Sequence, residues 1–186
     1  MIKLDIFSDP ICPWCYIGKT NLDRALEQRP DHPFVIEWHP FQLNPDMPRE
    51  GMDRRTYLEA KFGGKDGAVQ AYAPVVEHAK TAGLDINFEA MQRTPNTLDA
   101  HRLILWAGIE GRQTAVISSL FKAYFVEGLD IGELVATTPH IEFGEEEFSP
   151  EEARNAVEMF GGREIRERNV AVCLARPRTA SFVKQP

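Results

Sequence analysis

The stretch whose residue types and spacing could do chemistry is Cys12-Pro13-Trp14-Cys15. Two cysteines separated by two residues serve either as half of a zinc site or as a dithiol that cycles with its disulfide. Zinc would need two further ligands at metal spacing. The third cysteine is Cys173, and the five histidines, His32, His39, His78, His101 and His140, form no close pair. The redox reading therefore leads, and no metal is expected. The plainer alternative, two buried structural thiols, has to explain why prolines frame the pair at a strand-to-helix junction.

The spacing has a physical reason. A cysteine at the first turn of a helix faces unpaired backbone N–H groups and the positive end of the helix dipole. That field favours thiolate, the nucleophilic form. Two intervening residues keep Cys15 close enough to attack a mixed disulfide formed on Cys12. Pro13 fits the first helical position, where its missing N–H removes no bond.

The elements that must position this pair follow from patterning. Ile2, Leu4 and Ile6 alternate with Lys3 and Asp5, predicting a strand that runs to Phe7. Ser8-Asp9-Pro10 is a turn, and the motif follows it. Ile17, Leu22, Ala25 and Leu26 fit the apolar side of a helix reaching about Gln28, ended by Pro30-Asp31-His32-Pro33. Phe34-Val35-Ile36-Glu37-Trp38 is a second strand. Strand, helix, strand makes a βαβ unit with parallel strands and a right-handed crossover. Its Cys-X-X-Cys at the helix start is a thioredoxin-like signature.

Pro40 to Pro48 reads as a proline-punctuated loop. Helices are expected over 53–62, closed by Gly63-Gly64, over about 66–82, stopped by Gly83, and from Asn96 or Thr97 to about Gly108. In the last of these, Leu98, His101, Leu105 and Ile109 are spaced for one side. Thr114 to Phe125 carries a broad stripe of Val116, Ile117, Leu120, Phe121, Tyr124 and Phe125, most simply core. The chain thus divides into a βαβ unit over 1–48, an inserted helical lobe over 49–132, a return to the sheet and last helix over 133–162, and a basic tail over 163–186.

Composition bounds the rest. At 186 residues, one domain with an inserted lobe is the prior. A formal net charge of −7 argues against generic nucleic-acid binding. No segment approaches the roughly 20 apolar residues needed to span a bilayer. Met1-Ile2-Lys3-Leu4-Asp5 lacks a signal peptide's apolar stretch, so a cytoplasmic location is expected. A Cys-X-X-Cys in a reducing compartment points to catalysis rather than to a structural disulfide.

The chain resembles the DsbA-like thioredoxin family, in its FrnE-like branch, which also holds 2-hydroxychromene-2-carboxylate isomerases and kappa-class glutathione transferases. The resemblance rests on Ser8-Asp9-Pro10-Ile11-Cys12-Pro13-Trp14-Cys15-Tyr16-Ile17-Gly18, on His39 to Pro48, on Thr94 to Leu103 and on Leu120 to Gly128. It implies an α/β, thioredoxin-like fold with an inserted helical lobe. It implies Cys12 as the attacking and Cys15 as the resolving thiol of a thiol–disulfide oxidoreductase or isomerase. Relatives that work with glutathione usually carry serine at the Cys12 position, so two cysteines favour dithiol chemistry. The alternative is a glutathione-dependent isomerase or transferase on small aromatic molecules, with Asn96, His101 and Arg102 lining a pocket in the lobe.

Beyond about Gly132 the sequence departs from the family's pattern. Thr138-Pro139 replaces the usual cis-proline loop, making Pro139 the candidate cis-proline beside Cys12 and Pro177 the second choice. Pro13, Trp14 and Pro139 are then the candidate substrate contacts. The resemblance implies no tightly bound cofactor, glutathione as co-substrate, and protein or small-molecule thiols and disulfides as partners. An apolar helical lobe could also pair in a homodimer. Cys173 reads as a small buried apolar residue or an auxiliary redox thiol, in a segment 161–186 with six Lys/Arg against two Glu.

Overall fold

Alternation along the first strand places its side chains on two unlike faces. In the computed structural model, which describes residues 1–133, β1 (Ile2–Ser8) pairs in parallel with β2 (Phe34–Pro40), from Ile2 opposite Phe34 to Ser8 opposite Pro40. One face turns Ile6, Ile36 and the buried Trp38 to the core. The other carries Lys3, Asp5, Glu37 and His39, with Lys3 bonded to Glu37 at 2.7 Å and His39 to Asp5 at 2.7 Å. Parallel strands need a long crossover, and α1 (Pro13–Glu27) supplies it. Ile17 of α1 is buried and Leu22 and Leu26 half-buried, whereas Ala25, expected on the apolar side, is exposed.

β2 runs two residues past Trp38, through His39 and Pro40, into the stretch expected to begin the loop. Proline is tolerated at a strand position whose N–H faces away from the ladder. Two side chains complete β2. Gln113 accepts from the Trp38 amide and donates to the Trp38 carbonyl, both at 2.8 Å, and the ring of His32 accepts from the Phe34 amide at 3.2 Å. The Trp38 indole donates to Thr114 Oγ1 at 3.0 Å. Gln113→Ala removes two bonds from a half-buried strand, and about 1–3 kcal/mol of stability is expected to go with them. A urea titration checks this as a lower midpoint at unchanged slope.

The helical lobe opens with β3 (Met52–Asp53) and α2 (Arg54–Phe62). Asp53 caps α2 by accepting from the Thr56 amide at 2.8 Å, and Gly63 ends it at φ 75°. Then come α3 (Lys65–Thr81), β4 (Arg93–Thr94), α4 (Leu98–Ile109) and α5 (Gln113–Phe125). The antiparallel β3–β4 pair was not expected from the sequence. Buried Arg54 ties the lobe together, donating to the hydroxyls of Tyr124 at 2.8 Å and Tyr72 at 3.1 Å.

The core lies where α4 and α5 pack on β2 and where α1 meets α5. Val116, Ile117, Leu120, Phe121, Tyr124 and Phe125 are all buried, as the stripe requires. Tyr16 of α1 stacks on Phe121 and Phe125 with ring centres 5.0 and 5.4 Å apart. The face expected for α4 is corrected. Its buried side is Ala100, His101, Leu103, Ile104 and Ala107, while Ile109 is 68% exposed. The chain leaves α5 through Gly128, at φ 72°, where an added Cβ would lie 2.5 Å from both the Cβ and the carbonyl oxygen of Ala90. Among the described residues no helix is long and apolar enough to cross a membrane.

Candidate active site

The turn after β1 builds the site. The Cys12 amide donates to the Asp9 carbonyl at 2.9 Å, closing Asp9-Pro10-Ile11-Cys12. Cys12 is the N-cap of α1, in extended geometry at φ −87° and ψ 113°, and Pro13 begins the helix. The Cys12 side chain makes no cap hydrogen bond, but the N-cap position places the residue at the positive end of α1. The Cys12 carbonyl accepts from the Cys15 amide at 3.0 Å and the Tyr16 amide at 3.2 Å. With Pro13 lacking an N–H, the Trp14 amide is the first-turn donor nearest the cap that this carbonyl leaves over. Cys15 follows within the same turn. Neither cysteine is in a disulfide, and both are buried, at 5% and 6% exposure. Trp14 is half-buried, its ring edge-on to His78 of α3 at 5.3 Å.

Behind the motif lies a residue that sequence reasoning missed. Asp9 is fully buried. Its carboxylate accepts from the Leu43 amide at 2.7 Å, the Ile11 amide at 3.3 Å and the Thr97 hydroxyl at 3.5 Å. It thus joins the cysteine turn, the proline-rich loop and the start of α4. Burial pushes its pKa up to about 7, against the pull of the Leu43 and Ile11 amides. His101 is also buried, with Nε2 3.8 Å from Asp9 Oδ1. Burial draws its pKa down to about 4, opposed by its bond to the Phe41 backbone. An aspartate between a strand end and a proline reads as an ordinary turn residue. Only the apolar residues on either side of the turn, Phe7 and Ile11, hinted that it would be enclosed.

The other candidates fall as follows. Asn96 donates to the Met47 carbonyl at 2.7 Å and accepts from the Leu98 amide at 2.9 Å, so it caps α4 and pins the far end of the proline-rich loop. Thr97, the formal N-cap, makes no cap bond. Arg102 pairs with Asp99 at 2.6 Å. Cys12, Pro13, Trp14 and Cys15 thus cluster at one helix mouth, His101 reaches them through Asp9, and Asn96 stands at the other end of the shared loop. Pro139, Pro177 and Cys173 lie outside the described residues. On the sheet's polar face Asp5, Glu37 and His39 bring three potential metal ligands together, with Lys3 already across them at 3.2 Å from Asp5 and 2.7 Å from Glu37.

This geometry has known counterparts. The chain is 23% identical over 133 residues to the Bacillus subtilis protein YwbO, covering 72% of this chain and 61% of that one. It therefore spans less than two thirds of that relative's length. The solved structure of a probable DsbA oxidoreductase from Streptomyces coelicolor superposes with a TM-score of 0.70 at 25% identity, over 85% of this chain and 68% of that one. A 2-hydroxychromene-2-carboxylate isomerase shares the fold with a TM-score of 0.58 at 14% identity, over 84% and 71% of the two chains. So does a cytosolic disulfide reductase, DsbM, from Pseudomonas aeruginosa, solved with GSH, with a TM-score of 0.58 at 17% identity over 88% and 74%. Residues 3–141 match the DSBA-like thioredoxin domain, and the chain belongs to that family.

Proposed function

We propose that this protein is a thiol–disulfide oxidoreductase or isomerase working through Cys12 and Cys15. The observation that carries the reading is a cysteine at the N-cap of α1 with a second cysteine in the same turn, neither of them in a disulfide. Cys12 thiolate attacks a substrate disulfide, forms a mixed disulfide and releases one substrate thiolate. Cys15, once deprotonated, attacks the Cys12 sulfur, and the second substrate thiolate leaves. Two electrons have then passed to the substrate, and the protein holds a Cys12–Cys15 disulfide. A thiol such as glutathione, or a protein dithiol, returns it to the reduced state. Run backwards, the same steps oxidise a substrate dithiol.

Trp14, half-buried beside the thiols, and Pro13 are the proposed substrate contacts, with Pro139 the proposed third. The partners are thiols and disulfides, of proteins or small molecules, with glutathione as a co-substrate rather than a bound cofactor. A cytoplasmic setting suits a dithiol that is kept reduced, and a solved neighbour is a cytosolic disulfide reductase. Pairing of the lobes would give a homodimer. Insulin reduction with dithiothreitol or glutathione as electron source tests the reading. Turnover well above the uncatalysed rate is expected, with the Cys12–Cys15 disulfide detected by mass spectrometry after oxidation. Inert thiols under oxidised glutathione would sink it.

A second reading draws on the isomerase neighbour, which shares the fold. There Cys12 would orient glutathione beside a small aromatic substrate, with Asn96 and His101 as pocket residues. Isomerisation that survives Cys12→Ser would favour it.

A further inference from the structure

The helix that carries the cysteines meets the lobe at a contact that the cycle above does not use. The last turn of α3 is fixed against α1. Ala79 and Ala82 are buried, the Leu84 amide closes back on the Ala79 carbonyl at 2.9 Å, and Arg24 of α1 donates to the Ala82 carbonyl at 2.9 Å. Gly83, at φ 71°, then turns the chain out of the helix. His78 stands on this rigid mount, in the last turn of α3. Its ring meets the Trp14 indole with centres 5.3 Å apart and planes at 60°, the geometry of an edge-to-face pair. Trp14 is half-buried, so part of the indole stays accessible within the cysteine motif itself. A loose indole would have to be ordered by whatever binds it, at a cost in side-chain entropy. One backed by His78 is ordered beforehand.

We propose that His78 is a specificity-determining residue, which holds the Trp14 indole as a fixed platform for an apolar or aromatic side chain next to the substrate's cysteine. It is a positioning residue, since it acts through Trp14 and touches no reacting atom. The inference rests on the proposed function and narrows its substrate class. Reach supports the narrowing. A mixed disulfide holds the substrate cysteine's Cα about 5.5–6 Å from that of Cys12. The Trp14 Cα lies at most about 7.6 Å from the Cys12 Cα, two peptide links away. A residue adjacent to the substrate's cysteine therefore falls within the span of the indole. The preferred substrates are then polypeptide disulfides with an apolar or aromatic residue beside the cysteine. Glutathione disulfide, whose cysteine is flanked by glycine and glutamate, gains nothing from the platform. An aromatic contact of this kind changes affinity about twofold to tenfold.

The test compares two peptide disulfides of equal length and charge, one with Phe and one with Gly beside the cysteine. The wild type should show the lower KM for the Phe peptide. His78→Ala should raise that KM about twofold to tenfold at unchanged kcat. It should leave the Gly peptide and the rate of Cys12 alkylation by iodoacetamide as they were. His78→Phe keeps a ring against Trp14 and should restore the wild-type preference. Binding can be read without turnover in a Cys12→Ser background, from the Trp14 indole NMR signal as each peptide is added, and the same preference is expected there. Equal affinities of the wild type for the two peptides, a Phe preference that survives His78→Ala, or a loss shared by both peptides would overturn the inference. Absent insulin turnover strikes the proposed function, whereas a missing Phe preference beside normal insulin turnover strikes this inference alone.

Discussion

Cys12→Ser should reduce disulfide exchange to background, a loss of roughly 10³-fold or more in insulin reduction. A serine at the N-cap keeps the helix, because its hydroxyl caps at least as well as a thiol. It cannot keep the chemistry, because a hydroxyl is almost wholly protonated where a thiol is partly ionised, and oxygen forms no mixed disulfide. Cys15→Ser should behave differently. The first attack by Cys12 survives, resolution does not, and a covalent substrate adduct should accumulate that mass spectrometry places on Cys12. Equal effects of the two changes, or turnover surviving Cys12→Ser, would mean that the helix mouth does not do the work proposed for it.

A large effect on stability is expected at Gly128. Its φ of 72° penalises any side chain by about 1–2 kcal/mol. An added Cβ would also sit 2.5 Å from the Ala90 Cβ and carbonyl oxygen, and backbone cannot move aside as a flexible side chain can. Overpacking adds about 1–3 kcal/mol. Gly128→Ala should therefore cost about 2–5 kcal/mol, a fall in Tm of roughly 5–15 °C for a chain of this size. Gly111 supplies the control. Its φ is 71° but nothing lies within 4 Å of where a Cβ would stand, so Gly111→Ala should show the backbone penalty alone. Equal melting shifts for the two substitutions would show that Ala90 yields.

These two substitutions also mark what could be read before the fold was known. Cys12 and Cys15 are neighbours in sequence, so their chemistry needed no tertiary contact to be recognised. The alternation in β1, the turn at Pro10 and the proline at the head of α1 are equally local, and the βαβ unit followed from them. The contact at Ala90 joins segments that no periodicity links. The two-residue β3–β4 pair is too short to leave a pattern. The burial of α4 turned on Ala100 and Ala107, which carry little apolar signal, and so the larger Leu98 and Ile109 misdirected the reading of its face. Asp9 meets Thr97 across 88 positions of sequence, and a charged turn residue gives no sign that it will be enclosed.

The way β2 is finished has a consequence for self-association. Along a parallel strand alternate residues turn their amides outward, which here means Phe34, Ile36, Trp38 and Pro40. His32 occupies the first, the Gln113 carboxamide imitates a neighbouring backbone at the third, and the fourth has no N–H to offer. Three of the four sites that a foreign strand would use as a template are thus spoken for. Fibril-like growth and domain-swapped annealing are thereby discouraged on that flank.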